Sequence, residues 1–373
     1  MHSHSATRRL ILHLFLCVWL TTTHSTLGIS QDPQPPSLEN QSAKPESPDQ
    51  ATGASKSPNE NKSSEDDKSS EDFSEQGPLV LQRNDPLEDL TVGVIDNRKI
   101  YNNFVNRGRR LIKDDRILTA VEMKELVDRA PTSIDLASIQ PNLDSTPKVQ
   151  SEELHDRLRR ASLMVGTLYD CGRCSNLHGN IAGGVVITED GLALTNHHVL
   201  IRQVGEKVQG MIAMNHLGQC FAISEVLAVS KSSDIALIRL ASNTKFEPIR
   251  IASSTPKPLS NVIVVSHPHN EFYVVTTGLV SRLTKPTMNG DTTTWLEITA
   301  EFSGGSSGSG VFNSQGELIG LVSRIHPMFR SEEKQKQGEQ RPPGGDSKGP
   351  FVEQILRRCV PVESIWSLVG RQP

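Results

Sequence analysis

Aromatic residues are scarce in this 373-residue chain: Phe, Tyr and Trp make up 4% of it, and hydrophobic residues of all kinds 35%. A chain packed throughout needs more apolar surface than that, so part of it must lie outside any core. A large excess of one charge is missing too. Lys and Arg number 39 against 43 Asp and Glu, a formal charge of −4. That balance lacks the basic excess on which nucleic-acid binding rests, and nucleic acid is not expected as a partner. The apolar run Leu10 to Leu20 is only eleven residues long and is broken by His13. A bilayer-spanning helix needs about 20. Cysteine is sparse as well: Cys17 sits in that run, and Cys171, Cys174, Cys220 and Cys359 follow. An even count of four permits disulfides without requiring them, and spacing alone gives no connectivity.

What is present is unevenly distributed. Arg8 and Arg9 precede the short apolar run, and small or polar residues follow it, with Thr23-His24-Ser25 and Thr26-Leu27-Gly28 as cleavage points. Residues 1–28 read as an export signal, which places the protein in the periplasm or outside the cell. Membrane contact is expected only through that segment, where it is retained. Leu16 before Cys17 argues against a lipoprotein cleavage box. Residues 29–78 are dominated by Pro, Ser, Asn, Gln and charged residues. Within them, Asn59 to Gln76 holds seven acidic residues and two lysines. Ordering such a chain costs roughly 1–2 kcal/mol per residue with little apolar burial to offset it, so a disordered acidic linker is expected.

Residues 79–150 carry helical signals. Asn97 to Ile112 places Ile100, Phe104 and Leu111 on one face, and Thr119-Ala120-Val121-Glu122 fits a capping box ahead of Met123, Leu126 and Val127. The role of this segment is open between packing on the main domain, a pro-segment and a partner surface. A further helix is expected after Ser151, with Glu152 and Glu153 in its first turn and basic residues in its last. Beyond Ala161 the texture changes to short apolar runs separated by Gly, Asp, Asn and Ser. Leu163 to Leu168, Gly184 to Ile187, Leu192 to Thr195, Ile235 to Leu240, Val262 to Val265 and Leu318 to Val322 are examples. Runs of this length and spacing point to an all-β sandwich or barrel. Residues 331–349 read as a disordered surface loop, and Val362 to Leu368 as a closing helix.

Three segments in the β region can each supply one member of a nucleophilic triad. Thr195-Asn196-His197-His198-Val199 ends a strand in histidine, and Asp234-Ile235-Ala236-Leu237 opens an apolar strand with an acid. Gly304-Gly305-Ser306-Ser307-Gly308-Ser309-Gly310 sets serine among glycines. Glycine there lets the backbone turn tightly and aim two N–H groups at a carbonyl oxygen. Serine becomes a useful nucleophile once a histidine accepts its proton and an acid fixes that histidine's tautomer. Each segment alone is weak. The order His, Asp, Ser, with spacings of 36 and 73 residues, carries the inference.

On these motifs the region from about Leu163 to Val322 resembles the trypsin-like serine endopeptidases, and among them the high-temperature-requirement (Deg) branch. Thr195-Asn196-His197-His198-Val199 is similar to that family's Thr-Asn-x-His-Val, which makes His198 rather than His197 the base. Asp234-Ile235-Ala236-Leu237, Thr277-Gly278-Leu279-Val280-Ser281 and Gly316-Glu317-Leu318-Ile319-Gly320 match further segments in the right order. The nucleophile segment departs from the usual Gly-x-Ser-Gly-Gly-Pro, with Ser309 and Gly310 in place of Gly and Pro. Of the three serines, only Ser307 has Gly two residues before it and Gly directly after it.

The resemblance implies an all-β fold of two antiparallel barrels within residues 151–373. It also implies a His198–Asp234–Ser307 triad acting through an acyl-enzyme, and an oxyanion hole on the N–H groups of Gly305 and Ser307. Substrates would be proteins or peptides. Glu301, six before the nucleophile, would sit at the base of the primary pocket and favour Lys or Arg there. Ser323 and Arg324 would flank it, and Arg324 would favour acidic residues instead; neither preference is adopted. The branch commonly carries a C-terminal PDZ domain, for which too few residues follow the nucleophile. No cofactor is implied, and the oligomeric state is left open. Cys171-Gly172-Arg173-Cys174 with His178 offers three ligands where structural zinc takes four, so a disulfide or two thiols is expected rather than a metal. His267-Pro268-His269 reads as a strand-to-loop turn. The alternative to a peptidase is an inactive protease fold used as a binding or chaperone module. A thiol–disulfide protein built on Cys171 and Cys174 lacks the expected βαβ context.

Overall fold

The computed structural model describes residues 89–137, 139, 150–201, 207–285, 293–329 and 352–371. The export signal, the acidic linker and the 331–349 loop expected from the sequence lie outside them. Three helices come first: α1 (Asn97–Lys113), α2 (Ala120–Arg129) and α3 (Ser151–Ala161). Six strands follow: β1 (Ser162–Asp170), β2 (Leu177–Val186), β3 (Leu192–Thr195), β4 (Val208–Met214), β5 (Cys220–Ser230) and β6 (Ile235–Leu240). A short helix α4 (His197–Ile201) sits between β3 and β4. Six more strands complete the fold: β7 (Asn261–Ser266), β8 (Val274–Thr284), β9 (Trp295–Ile298), β10 (Gly310–Phe312), β11 (Leu318–Phe329) and β12 (Val352–Pro361). Helix α5 (Val362–Leu368) comes last.

The strands close into two antiparallel barrels, ordered β1-β2-β3-β6-β5-β4 and β10-β11-β12-β9-β8-β7. This is the all-β, double-barrel fold that the sequence leads one to expect. Side chains alternate across a strand, and β1 shows why its apolar run is nearly unbroken. Leu163 and Val165 pack with Val186, Ala193, Met211 and Phe221. Met164 and Leu168 face the other way, into the layer formed with α1. A strand covered on both faces needs apolar residues at every position.

The helices are part of that covering. Helix α1 starts at Asp96, whose side chain accepts the Lys99 N–H at 2.9 Å, and buries Ile100, Phe104 and Leu111 almost completely. Burial of such side chains stabilises by roughly 1.5–3 kcal/mol each. Helix α2 begins with a reciprocal capping box between Thr119 and Glu122, and its Met123 and Val127 join the first barrel's cluster. Helix α5 lies against strands of both barrels, and Trp366 donates its indole N–H to the Ala252 carbonyl at 2.8 Å. Among the described residues, no helix is long and apolar enough to cross a membrane.

Candidate active site

The register of β3 against β6, with Thr195 opposite Ala236, brings the residues just after β3 beside those just before β6. His198, in α4, thereby meets Asp234. Its ring Nδ1 lies 2.9 Å from Asp234 Oδ1 and 2.8 Å from Oδ2, and its backbone N–H donates to Oδ1 at 3.1 Å. The Ser323 hydroxyl donates to Oδ2 at 2.5 Å. Asp234 is held at φ +54°, an uncommon conformation for a residue with a side chain. Asn196 secures it by donating to the Asp234 carbonyl at 2.8 Å. Burial is the largest single influence on this carboxyl and raises its pKa. The hydrogen bond and charge of His198 and the Ser323 hydroxyl outweigh it, holding the group below the ordinary aspartate range.

The two adjacent histidines differ sharply. The His198 side chain is 37% exposed while Asp234 is 5% exposed, so the ring is anchored on its inner edge and open on its outer one. His197 is buried, and its Nε2 has no hydrogen-bond partner among the described residues.

The serine segment comes from the second barrel. Gly305 and Gly308 have φ of +95° and +80°, and both lack room for a side chain. A Cβ at Gly308 would lie 2.3 Å from the Gly183 carbonyl oxygen, and one at Gly305 would lie 2.6 Å from the His267 carbonyl oxygen. The loop is stitched to both barrels: Gly183 N–H donates to the Ser307 carbonyl at 2.7 Å and Gly308 N–H to the Val322 carbonyl at 2.8 Å. Of the three serines, Ser306 and Ser309 are buried, with 0% and 1% exposure. Ser306 bonds Ser266 at 3.2 Å. Ser307 alone is partly open. Its hydroxyl donates to the Ser323 carbonyl at 3.3 Å, and among the described residues no hydrogen bond joins it to His198. Contacts of this kind often tighten only when substrate arrives. Neither the Gly305 nor the Ser307 N–H donates to a backbone carbonyl among the described residues, which leaves both available as donors.

A third histidine supports this loop from behind. His267 is fully buried, accepts the Tyr273 N–H at Nδ1 (3.1 Å), and bonds the Leu163 carbonyl of the first barrel through Nε2 (3.2 Å). That pairing defines a neutral ring with the proton on Nε2, and burial pushes its pKa down to about 4. His269 N–H donates to the Gly304 carbonyl at 2.8 Å. The same turn is tied to α1, where Asn97 accepts the Phe272 N–H at 2.9 Å and donates to Glu271. The sequence reading put His267 in a strand-to-loop turn, Asn196 in the histidine motif and Asn97 at the start of a helix, but gave none of them, nor Gly183, a partner, because those partners lie far away along the chain.

The three residues expected around the substrate pocket have separate surroundings. Ser323 is buried, with its hydroxyl turned to Asp234. The Glu301 side chain is 79% exposed and pairs with Arg357 at 3.1 Å. The Arg324 guanidinium stacks 4.4 Å from the centre of the Trp295 ring.

Comparison with known sequences places two closed barrels of this kind among serine peptidases. Residues 182–321 match the family model of the trypsin-like peptidase domain. The chain is similar to a probable serine protease do-like of Buchnera aphidicola (28% identity, 39% of this chain, 30% of the relative). It is also similar to the serine endoprotease DegS of Escherichia coli (27%, 48% of this chain, 51% of the relative). A third relative is a probable periplasmic serine endoprotease DegP-like of Rhizobium meliloti (27%, 38% of this chain, 27% of the relative). The chain thus carries a trypsin-like region resembling the Deg branch, and it spans half or less of the length of most of these relatives.

Proposed function

We propose that this protein is an exported serine endopeptidase that cleaves peptide bonds in protein or peptide substrates. Ser307 is the nucleophile, His198 takes its proton and returns it to the leaving amine, and Asp234 holds the imidazole with Nδ1 protonated and offsets the imidazolium charge. The N–H groups of Gly305 and Ser307 receive the developing oxyanion. An acyl-enzyme on Ser307 forms and is then hydrolysed. The observation that carries this reading is the buried Asp234 carboxylate, which spends both oxygens on His198 and leaves that ring's outer edge open. A binding-only fold has no chemical need for such a group. Export is supported by the periplasmic designation of the DegP-like relative and by the N-terminal composition.

The test is labelling of the full-length chain by a fluorophosphonate, beside Ser307→Ala, Ser306→Ala, Ser309→Ala and His198→Ala. Loss of labelling in Ser307→Ala and His198→Ala alone is the expected result. Labelling that survives in Ser307→Ala would move the nucleophile to another residue, and labelling absent from a folded wild type would favour a binding module.

A further inference from the structure

The hairpin joining β1 to β2 ends in a cluster that peptide hydrolysis does not use. Cys171 and Cys174 stand in its turn, and His178 is the second residue of β2, paired across the hairpin with Tyr169. The two Sγ atoms are 3.5 Å apart, and Cys174 Sγ is 3.1 Å from His178 Nε2. All three ligand atoms lie within 4.8 Å of one another. Tyr169 packs beside the imidazole, with ring centres 5.5 Å apart.

The turn brings the two sulfurs together at its exposed tip. Gly172 sits at φ +67° and donates its N–H to Asp170 Oδ1 at 2.7 Å. The N–H groups of Arg173 and Cys174 both serve Cys171 Sγ.

Tetrahedral zinc, with Zn–S near 2.3 Å and Zn–N near 2.0–2.1 Å, needs S···S of about 3.8 Å and S···N of about 3.5 Å. The observed separations fall a few tenths short, so a slight opening of the turn admits the ion. A disulfide would use only the two sulfurs, whereas a cation would use the imidazole nitrogen beside Cys174 as well. Two thiolates and an imidazole suit zinc among the common divalent ions. The sequence reading set three ligands against the four of a structural site. Three protein ligands with an open fourth position is an equally established zinc coordination.

We propose that Cys171, Cys174 and His178 form a zinc site at the tip of the β1–β2 hairpin, its fourth coordination position open to solvent. The site anchors the start of β2, whose Gly183, five residues and about 16 Å further along, donates to the Ser307 carbonyl.

The experiment uses the full-length chain, with Cys17→Ser in every sample, reduced and stripped of metal. Cys220 and Cys359 are buried with raised thiol pKa values and do not compete. Titration with Co²⁺ should give one equivalent bound, with thiolate-to-cobalt absorption that Zn²⁺ displaces. Cys171→Ser, Cys174→Ser and His178→Ala should each weaken Zn²⁺ binding at least ten-fold, the minimum for losing even an outer partner of a ligand, with unchanged circular dichroism. The proposal is overturned by any of three results. These are no saturable one-to-one binding, wild-type affinity in His178→Ala, or a Cys171–Cys174 disulfide by mass spectrometry in protein isolated without reductant.

Discussion

Asp234→Asn removes one charge from the candidate site while leaving its backbone support in place. Asn tolerates the left-handed region that holds residue 234 at φ +54°, and Asn196 bonds the main-chain carbonyl there, not the side chain. The carboxylate accepts four contacts: from His198 N–H and Nδ1 on Oδ1, and from Nδ1 and the Ser323 hydroxyl on Oδ2. An amide has a single oxygen. Its NH₂ must then face either the His198 N–H or the Ser323 hydroxyl, both of which donate to the carboxylate now. The proton on Nδ1 is no longer enforced, and an imidazolium formed during attack is no longer compensated. In triads of this kind the loss is about 10⁴-fold in turnover, or about 5.5 kcal/mol of barrier. The assay is the second-order rate of fluorophosphonate labelling, with thermal unfolding measured alongside. A folded Asp234→Asn protein that labels within ten-fold of wild type would refute the role given to this carboxylate.

Two further outcomes follow from the supporting contacts. His267 has a folded pKa of about 4 against 6.5 for the free side chain, so the unfolded chain takes up its proton first as pH falls. Its contribution is complete above about pH 6.5 and erodes toward pH 4, a loss of up to about 3 kcal/mol. Urea unfolding should therefore show a shallower pH dependence over that window in His267→Gln, and an unchanged slope would count against the neutral buried ring. Gly308→Ala would set a Cβ 2.3 Å from the Gly183 carbonyl oxygen at a φ of +80°, and should cost at least about 2 kcal/mol and abolish labelling. A variant as stable and as reactive as wild type would show that the glycine is not required there.

Much of this was legible locally. The capping box at Thr119 and Glu122 and the amphipathic face of α1 rest on spacings of three and four residues, which a helix converts directly into contacts. The apolar runs that became β1, β3, β6 and β7 were visible because both faces of those strands are largely covered. Strand β8 was not, since Thr, Gly, Ser and Arg interrupt its apolar residues and only Val280 is buried. Strands β4, β5, β9, β10 and β12 were passed over as well.

The sequence by itself determined the order His198, Asp234, Ser307 and the need for glycine on either side of the serine, since a backbone conformation forbidden to other residues leaves its mark on composition. Only the tertiary structure decided which serine is open, with Ser306 and Ser309 turned inward, and set Ser323 on Asp234. It alone joined Gly183 to Ser307 and His267 to Leu163. The register of the closed barrels fixes which distant residues become neighbours, and that register arises from the packing of the whole domain.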